Sequence, residues 1–160
     1  YEIRSGDWSS DVCSSDLAVF GLPLHPLAVH FAVVLFPLSL LLFLLVLFIP
    51  KLRTRFTLWA ALLVTSTTPT VVLAQQSGLA LSDALYIPNP HAVLGTILVA
   101  ASVVTAGIVL LLGWSIRKNW SLVLQRSLGF LSVSASIASM IMTVAVGHSG
   151  SKASWGGVLQ

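Results

Sequence analysis

The fold class that this sequence predicts is an all-α integral membrane protein, a four-helix bundle running up-down-up-down. Three observations predict it. Apolar residues make up 56% of the chain and charged residues 8%, against roughly 25% charged in a soluble domain, so the chain lacks the means to cover a water-facing surface. Four separate stretches are long and apolar enough to cross a bilayer, which takes about 20 residues for about 30 Å of hydrocarbon. The basic residues between those stretches fall on one side of them. At 160 residues the chain reads as one domain, and a scattered net charge of +3 gives no footprint for nucleic acid.

The head of the chain, YEIRSGDWSSDVCSSDL over residues 1–17, is of another kind. It holds Glu2, Asp7, Asp11 and Asp16 and the single cysteine, Cys13. It has no apolar core segment of the signal-peptide type. The run from Asp7 to Leu17, DWSSDVCSSDL, resembles an in-frame translation of a common sequencing-library adapter. Residues 1–17 are therefore expected to be artefactual or disordered and carry no functional argument. Cys13 has no partner for a disulfide, and Asp83 is the one acid in the rest of the chain.

The transmembrane domain is expected over 18–157, with 158–160 as its end. The first crossing runs from about 26 to 49, with Pro26 suited to a first helical position and Pro50 to a stop. The second runs from about 56 to 76. The third, introduced by Pro88-Asn89-Pro90, runs from about 91 to 114. The fourth runs from about 127 to 147, where Gly147 is a natural C-terminal cap. Short connections make successive helices antiparallel neighbours.

Lys51, Arg53 and Arg55 lie between the first two crossings, and Arg117, Lys118 and Arg126 between the last two. The positive-inside rule makes that side cytoplasmic. Both termini then lie outside, and the expected location is a bacterial cytoplasmic membrane. Trp59, Trp114 and Trp120 fall at the inner interface, and Tyr86 and Trp155 at the outer one, as aromatic belts require.

Within the spans, helix 4 carries small residues at i, i+4 spacing, Ser132 with Ser136 and Ala135 with Ser139, which let a neighbouring backbone come close. Helix 2 carries Thr65, Ser66, Thr67, Thr68 and Thr70 around Pro69, and helix 1 carries Pro37. Ordinary packing and kinks explain these features, with hydroxyls serving carbonyls that the prolines free. A polar pore through helix 2 is the alternative, and no charged residue inside a span supports it.

All four histidines, His25, His30, His91 and His148, fall on the outer side of this topology. Ionisable residues at membrane depth are rare and usually functional. Imidazole is the commonest transition-metal ligand and a haem axial ligand. His30 and His91 are the leading candidate pair, for b-type haem or for a copper or zinc ion. His148 is a further candidate metal ligand, and His25 a further cofactor contact. Helix 2 ends on the same side with Gln75, Gln76, Ser77 and Gly78. No HExxH or CxxCH motif occurs, so haem would be non-covalent. The competing reading makes each histidine a cap hydrogen-bonded to backbone.

The segment GHSGSKASWGG, Gly147 to Gly157, reads as an exit loop with Trp155 at the interface. Its alternative is an anion-binding nest with Lys152. It is not a Walker A sequence, because Gly150 and Lys152 are not adjacent.

GLPLHPLAVHF (Gly21 to Phe31), the Ser77-Gly78 end of helix 2, PHAVLG (Pro90 to Gly95) and GHSGSKASWGG together resemble the bacterial membrane proteins of the domain of unknown function 2231 family. The resemblance covers nearly all of Gly21 to Gly157. It implies a four-helix membrane protein, and the family pattern falls on His25, Pro26, His30, His91, His148, Gly150, Lys152 and Trp155. Leu79 stands where an acidic residue often follows the Ser-Gly. The resemblance implies no activity.

Three functional classes follow. The first is a haem- or metal-binding module with a redox role. The second is a structural or accessory protein that packs against a membrane partner or a second copy through the small-residue face of helix 4. The third is a small transporter or channel subunit, disfavoured by the lack of an acid within the spans. Enzyme chemistry on a soluble substrate is not expected, because Asp83 alone cannot complete a catalytic set.

Overall fold

A computed structural model describes residues 18–19, 22–85 and 90–155, with side chains over 27–80 and 91–152. Four helices account for nearly all of it: α1 (Leu24–Phe48), α2 (Pro50–Leu85), α3 (Pro90–Arg117) and α4 (Leu122–Trp155). A two-residue strand β1 (Ala18–Val19) pairs antiparallel with β2 (Leu22–Pro23) just ahead of α1. Each helix packs along the next in sequence, and α1 also touches α4, which closes the bundle. All four helices contain a span long and apolar enough to cross a membrane.

The helices are longer than the apolar stretches suggest. α2 has 36 residues, about 54 Å at 1.5 Å per residue, so it extends well beyond the hydrocarbon. Its start explains the difference. Pro50 ends α1, yet it also opens α2, because a first-turn residue needs no N–H. The amides of Leu52 and Arg53 both close on the Ile49 carbonyl, at 3.0 and 3.1 Å. Lys51, Arg53 and Arg55 therefore ride on the first turns of α2 rather than in a loop.

The α3–α4 turn is built in a similar way. Asn119 has φ 53°, the left-handed conformation that ends helices. Trp120 N–H bonds the Ser115 carbonyl at 3.0 Å and Asn119 N–H bonds Ile116 at 3.2 Å, the two crossed bonds of a Schellman motif. Ser121 then caps α4, accepting from the Leu124 amide at 3.4 Å. This chemistry starts α4 at Leu122 rather than near 127 and puts Arg126 on the helix. At the other end α4 does not stop at Gly147. It continues to Trp155, so the tail is helical through Ser151 and Lys152 rather than a loop or a nest.

Packing is inverted relative to a soluble bundle. On α1, Ala28, Ala32, Phe36, Leu40, Phe43 and Leu47 are buried, and Phe31, Val34, Leu38, Leu41 and Leu45 on other faces are exposed. Both kinds are apolar, because the outer ones face lipid. The hydroxyls go inside: Ser39, Thr67, Thr68, Ser102, Thr105, Ser132, Ser136, Ser139 and Thr143 are all buried. Ser39 pairs with Thr67 across α1–α2 at 3.0 Å, and Thr105 with Ser139 across α3–α4 at 2.9 Å. Around Pro69, Thr65, Ser66, Thr67, Thr68 and Thr70 each bond a carbonyl one turn back on their own helix. That is the packing explanation of the helix 2 hydroxyls rather than a polar path.

Candidate functional site

The interhelical bonds set the level of each histidine. Ser39–Thr67 aligns α1 against α2. Nine residues before Ser39 stands His30, and nine after Thr67 stands Gln76, so these two lie at the same height. Thr105–Ser139 likewise aligns α3 and α4, and places His148 level with Thr96, in the second turn of α3. His30, Gln76, His91 and His148 thus share one end of the bundle. The side chains of His25 and Trp155 lie outside the described residues.

The His91 ring makes an interhelical contact. His91, on the first turn of α3, sits with Nδ1 2.8 Å from the Ser149 Oγ of α4. Ser149 Oγ also bonds the Val146 carbonyl of its own helix at 2.8 Å. Gly150 makes the approach workable: a Cβ there would lie 3.1 Å from Cε1 of His91. Packing of the His91 ring on Gly150 thus depends on the continuation of α4 beyond Gly147.

A second cross-link lies beside it. Gln75 of α2 donates through Nε2 to the Ala92 carbonyl and to Thr96 Oγ1, each at 2.9 Å. Its carboxamide oxygen lies in the space that a Cβ of Gly95 would take. Gln75 and His91 together tie α2, α3 and α4 at this end.

The other sequence candidates are placed differently. His30, Gln76, His148 and Lys152 are exposed. Ser77 is buried, and its hydroxyl bonds the Ala74 carbonyl at 3.0 Å. Among the described residues, no three His, Cys, Asp or Glu side chains come together as a metal site would need.

The small-residue face of α4 turns inward. Ser132, Ser136 and Ser139 are at most 1% exposed. These three serines are therefore already used in packing within the bundle. Ser132 Oγ and Ser136 Oγ are buried without a hydrogen-bond partner.

Sequence reasoning put Gln75 at this end without giving it a role, and passed over Thr96 and Ser149. Their role depends on the register between helices, which no local pattern carries.

No curated protein and no solved structure matches the chain. One family model does, described as a predicted membrane protein of the domain of unknown function 2231 class, and it matches residues 21–160. The match takes in all four helices and the histidine-bearing end, and the chain belongs to that family of membrane proteins.

Proposed function

We propose that this protein is a structural or accessory component of the bacterial cytoplasmic membrane, and that its histidine-bearing end serves helix packing and partner contact rather than ligation of haem or metal. The observation that carries this reading is the His91–Ser149 contact at 2.8 Å, seated on Gly150. A ring held between two helices is doing the work of an interhelical clamp. The exposed groups around it, His30, Gln76, His148 and Lys152, are the polar rim that a second copy or another membrane protein would meet.

Absorbance and metal content of protein purified from haem- and metal-replete cells test the reading. A colourless, metal-free preparation is expected, with His91→Ala lowering stability. A Soret band, or stoichiometric copper or zinc, lost in the His30→Ala/His91→Ala pair, would establish the ligand-binding function in its place.

The same proposal sets the orientation. The end bearing Lys51, Arg53, Arg55, Arg117, Lys118 and Arg126 is cytoplasmic by the positive-inside rule, with both termini outside. Alkaline phosphatase fused after Trp155 is expected to be active, and fused within 118–121 inactive. The opposite pattern reverses the orientation.

A further inference from the structure

The basic end of the bundle contains a cleft that the histidine end does not explain. It has a volume of about 480 Å³. Thr54 and Arg55 of α2 line one wall, Arg117 and the turn residue Asn119 another, and Gln125 of α4 closes it. Half-buried Leu58 and Ile116, with the more exposed Leu122, supply its apolar lining. Gly113 lies at the base, where α2 and α3 approach so closely that a Cβ would come within 2.8 Å of Leu58 Cα.

Two independent features give this cleft a ligand chemistry. The first is concentrated positive charge. Six of the eight Lys and Arg residues, Lys51, Arg53, Arg55, Arg117, Lys118 and Arg126, lie at this end. Among the described residues the one acid is Asp83, 28 positions along α2 from Arg55, about 42 Å away by helical rise. No carboxylate of the described chain reaches the two arginines of the cleft. The second feature is its aromatic surroundings, of the kind that membrane interfaces favour. Trp59, Trp114 and Trp120 are exposed around it, and Lys118 rests against Trp114, 5.4 Å from the ring. The turn that holds Asn119 is fixed by its crossed backbone bonds and by Gln125 Nε2, which donates to the Trp120 carbonyl at 2.9 Å.

Arginine presents planar donors that match phosphate oxygens, and basic pockets between membrane helices take anionic headgroups. Thr54 and Asn119 add neutral hydrogen-bonding groups. The apolar lining suits the glycerol and first acyl carbons. We propose that this cleft binds the phosphate of an anionic phospholipid headgroup, held chiefly by Arg55 and Arg117.

Native mass spectrometry of the detergent-solubilised full chain tests the proposal. The probes are dioleoyl phosphatidylglycerol, dioleoyl phosphatidylcholine and inorganic phosphate. The wild type is expected to retain phosphatidylglycerol in preference to phosphatidylcholine. Each basic group near an anionic headgroup contributes about a fivefold factor, so Arg55→Gln with Arg117→Gln is expected to lower retention about twentyfold or more. Lys51→Gln with Arg126→Gln removes the same charge from residues that do not line the cleft and is expected to cost less. Equal retention of the two lipids, or equal losses in the two double variants, overturns the site. Full displacement of phosphatidylglycerol by equimolar inorganic phosphate overturns the lipid as the source of the group. If the glutamine pair does not fold, Arg55→Lys with Arg117→Lys keeps the charge and loses the planar fork. At least a threefold loss is then expected, and no loss overturns the role of the arginines.

Discussion

Substitution of Gly113 by alanine isolates the contact that brings α2 and α3 together. The new Cβ would lie 2.8 Å from Leu58 Cα, 3.2 Å from its Cδ1 and 3.3 Å from its N. Carbon atoms rest at about 3.5–4.0 Å, so the two backbones must part by about 1 Å. A side-chain tip could swing aside, but a helix backbone cannot. Overpacking of this kind costs about 1–3 kcal/mol. Alanine in place of a helical glycine returns up to about 1 kcal/mol. Relative to a glycine-to-alanine change in open space, which has the same propensity gain, the loss is therefore about 1–3 kcal/mol, a factor of about 5 or more in the folded-to-unfolded ratio. Gly107→Ala is the internal control, because no atom lies within 4 Å of its Cβ position and only the propensity gain remains. Reversible unfolding in mixed micelles, followed by helical circular dichroism, measures both variants. If Gly113→Ala unfolds at the same denaturant fraction as Gly107→Ala, α2 and α3 do not meet at Leu58 and the helix register is wrong.

Three further outcomes follow from the same packing. Ser132→Ala and Ser136→Ala are each expected to leave stability unchanged or raise it by up to about 1 kcal/mol, because a buried hydroxyl without a partner is a cost. A clear loss in the same unfolding assay would mean that these hydroxyls have a partner. Thr105→Val and Ser139→Ala, combined in a double-mutant cycle, are expected to couple by about 0.6 kcal/mol, the average for hydrogen bonds between membrane helices; zero coupling would deny the α3–α4 pair. Gly95→Ala should cost about 1 kcal/mol by displacing Gln75 and its hydrogen bonds to Ala92 and Thr96, and Gln75→Ala should abolish most of that cost. Equal costs in the two backgrounds would show that Gly95 does not seat the carboxamide.

The histidine end shows how far the residues themselves point. Lys51, Arg53 and Arg55 on one side, and His30 and His91 on the other, separate the two ends without any coordinates. What they cannot show is which histidine meets what. His91 meets Ser149 because α4 runs on past Gly147, and a glycine after an apolar run reads as a stop when it is taken alone. In the folded chain, no residue from Gly147 to Trp155 departs from the helix, and the contact with His91 covers one side of it. The same reason hid the role of Pro50. A proline ends one helix and begins the next with equal ease, and only the pairing of Leu52 and Arg53 with the Ile49 carbonyl decides that it does both.

Composition and span length alone determined the class of this protein. A chain with 8% charged residues and four runs of membrane length has one stable solution, because every backbone polar group in hydrocarbon must be paired within its own helix. The family motifs from Gly21 onward agree with it. Tertiary structure alone decided which face of each helix turns inward. In water, the polar and apolar faces of a helix announce its orientation. In lipid, Phe36 inside and Phe31 outside are equally apolar, so that signal vanishes. The choice falls to close fit at Gly113, Gly95 and Gly150 and to hydroxyl pairs such as Ser39–Thr67, which exist only once two helices have met.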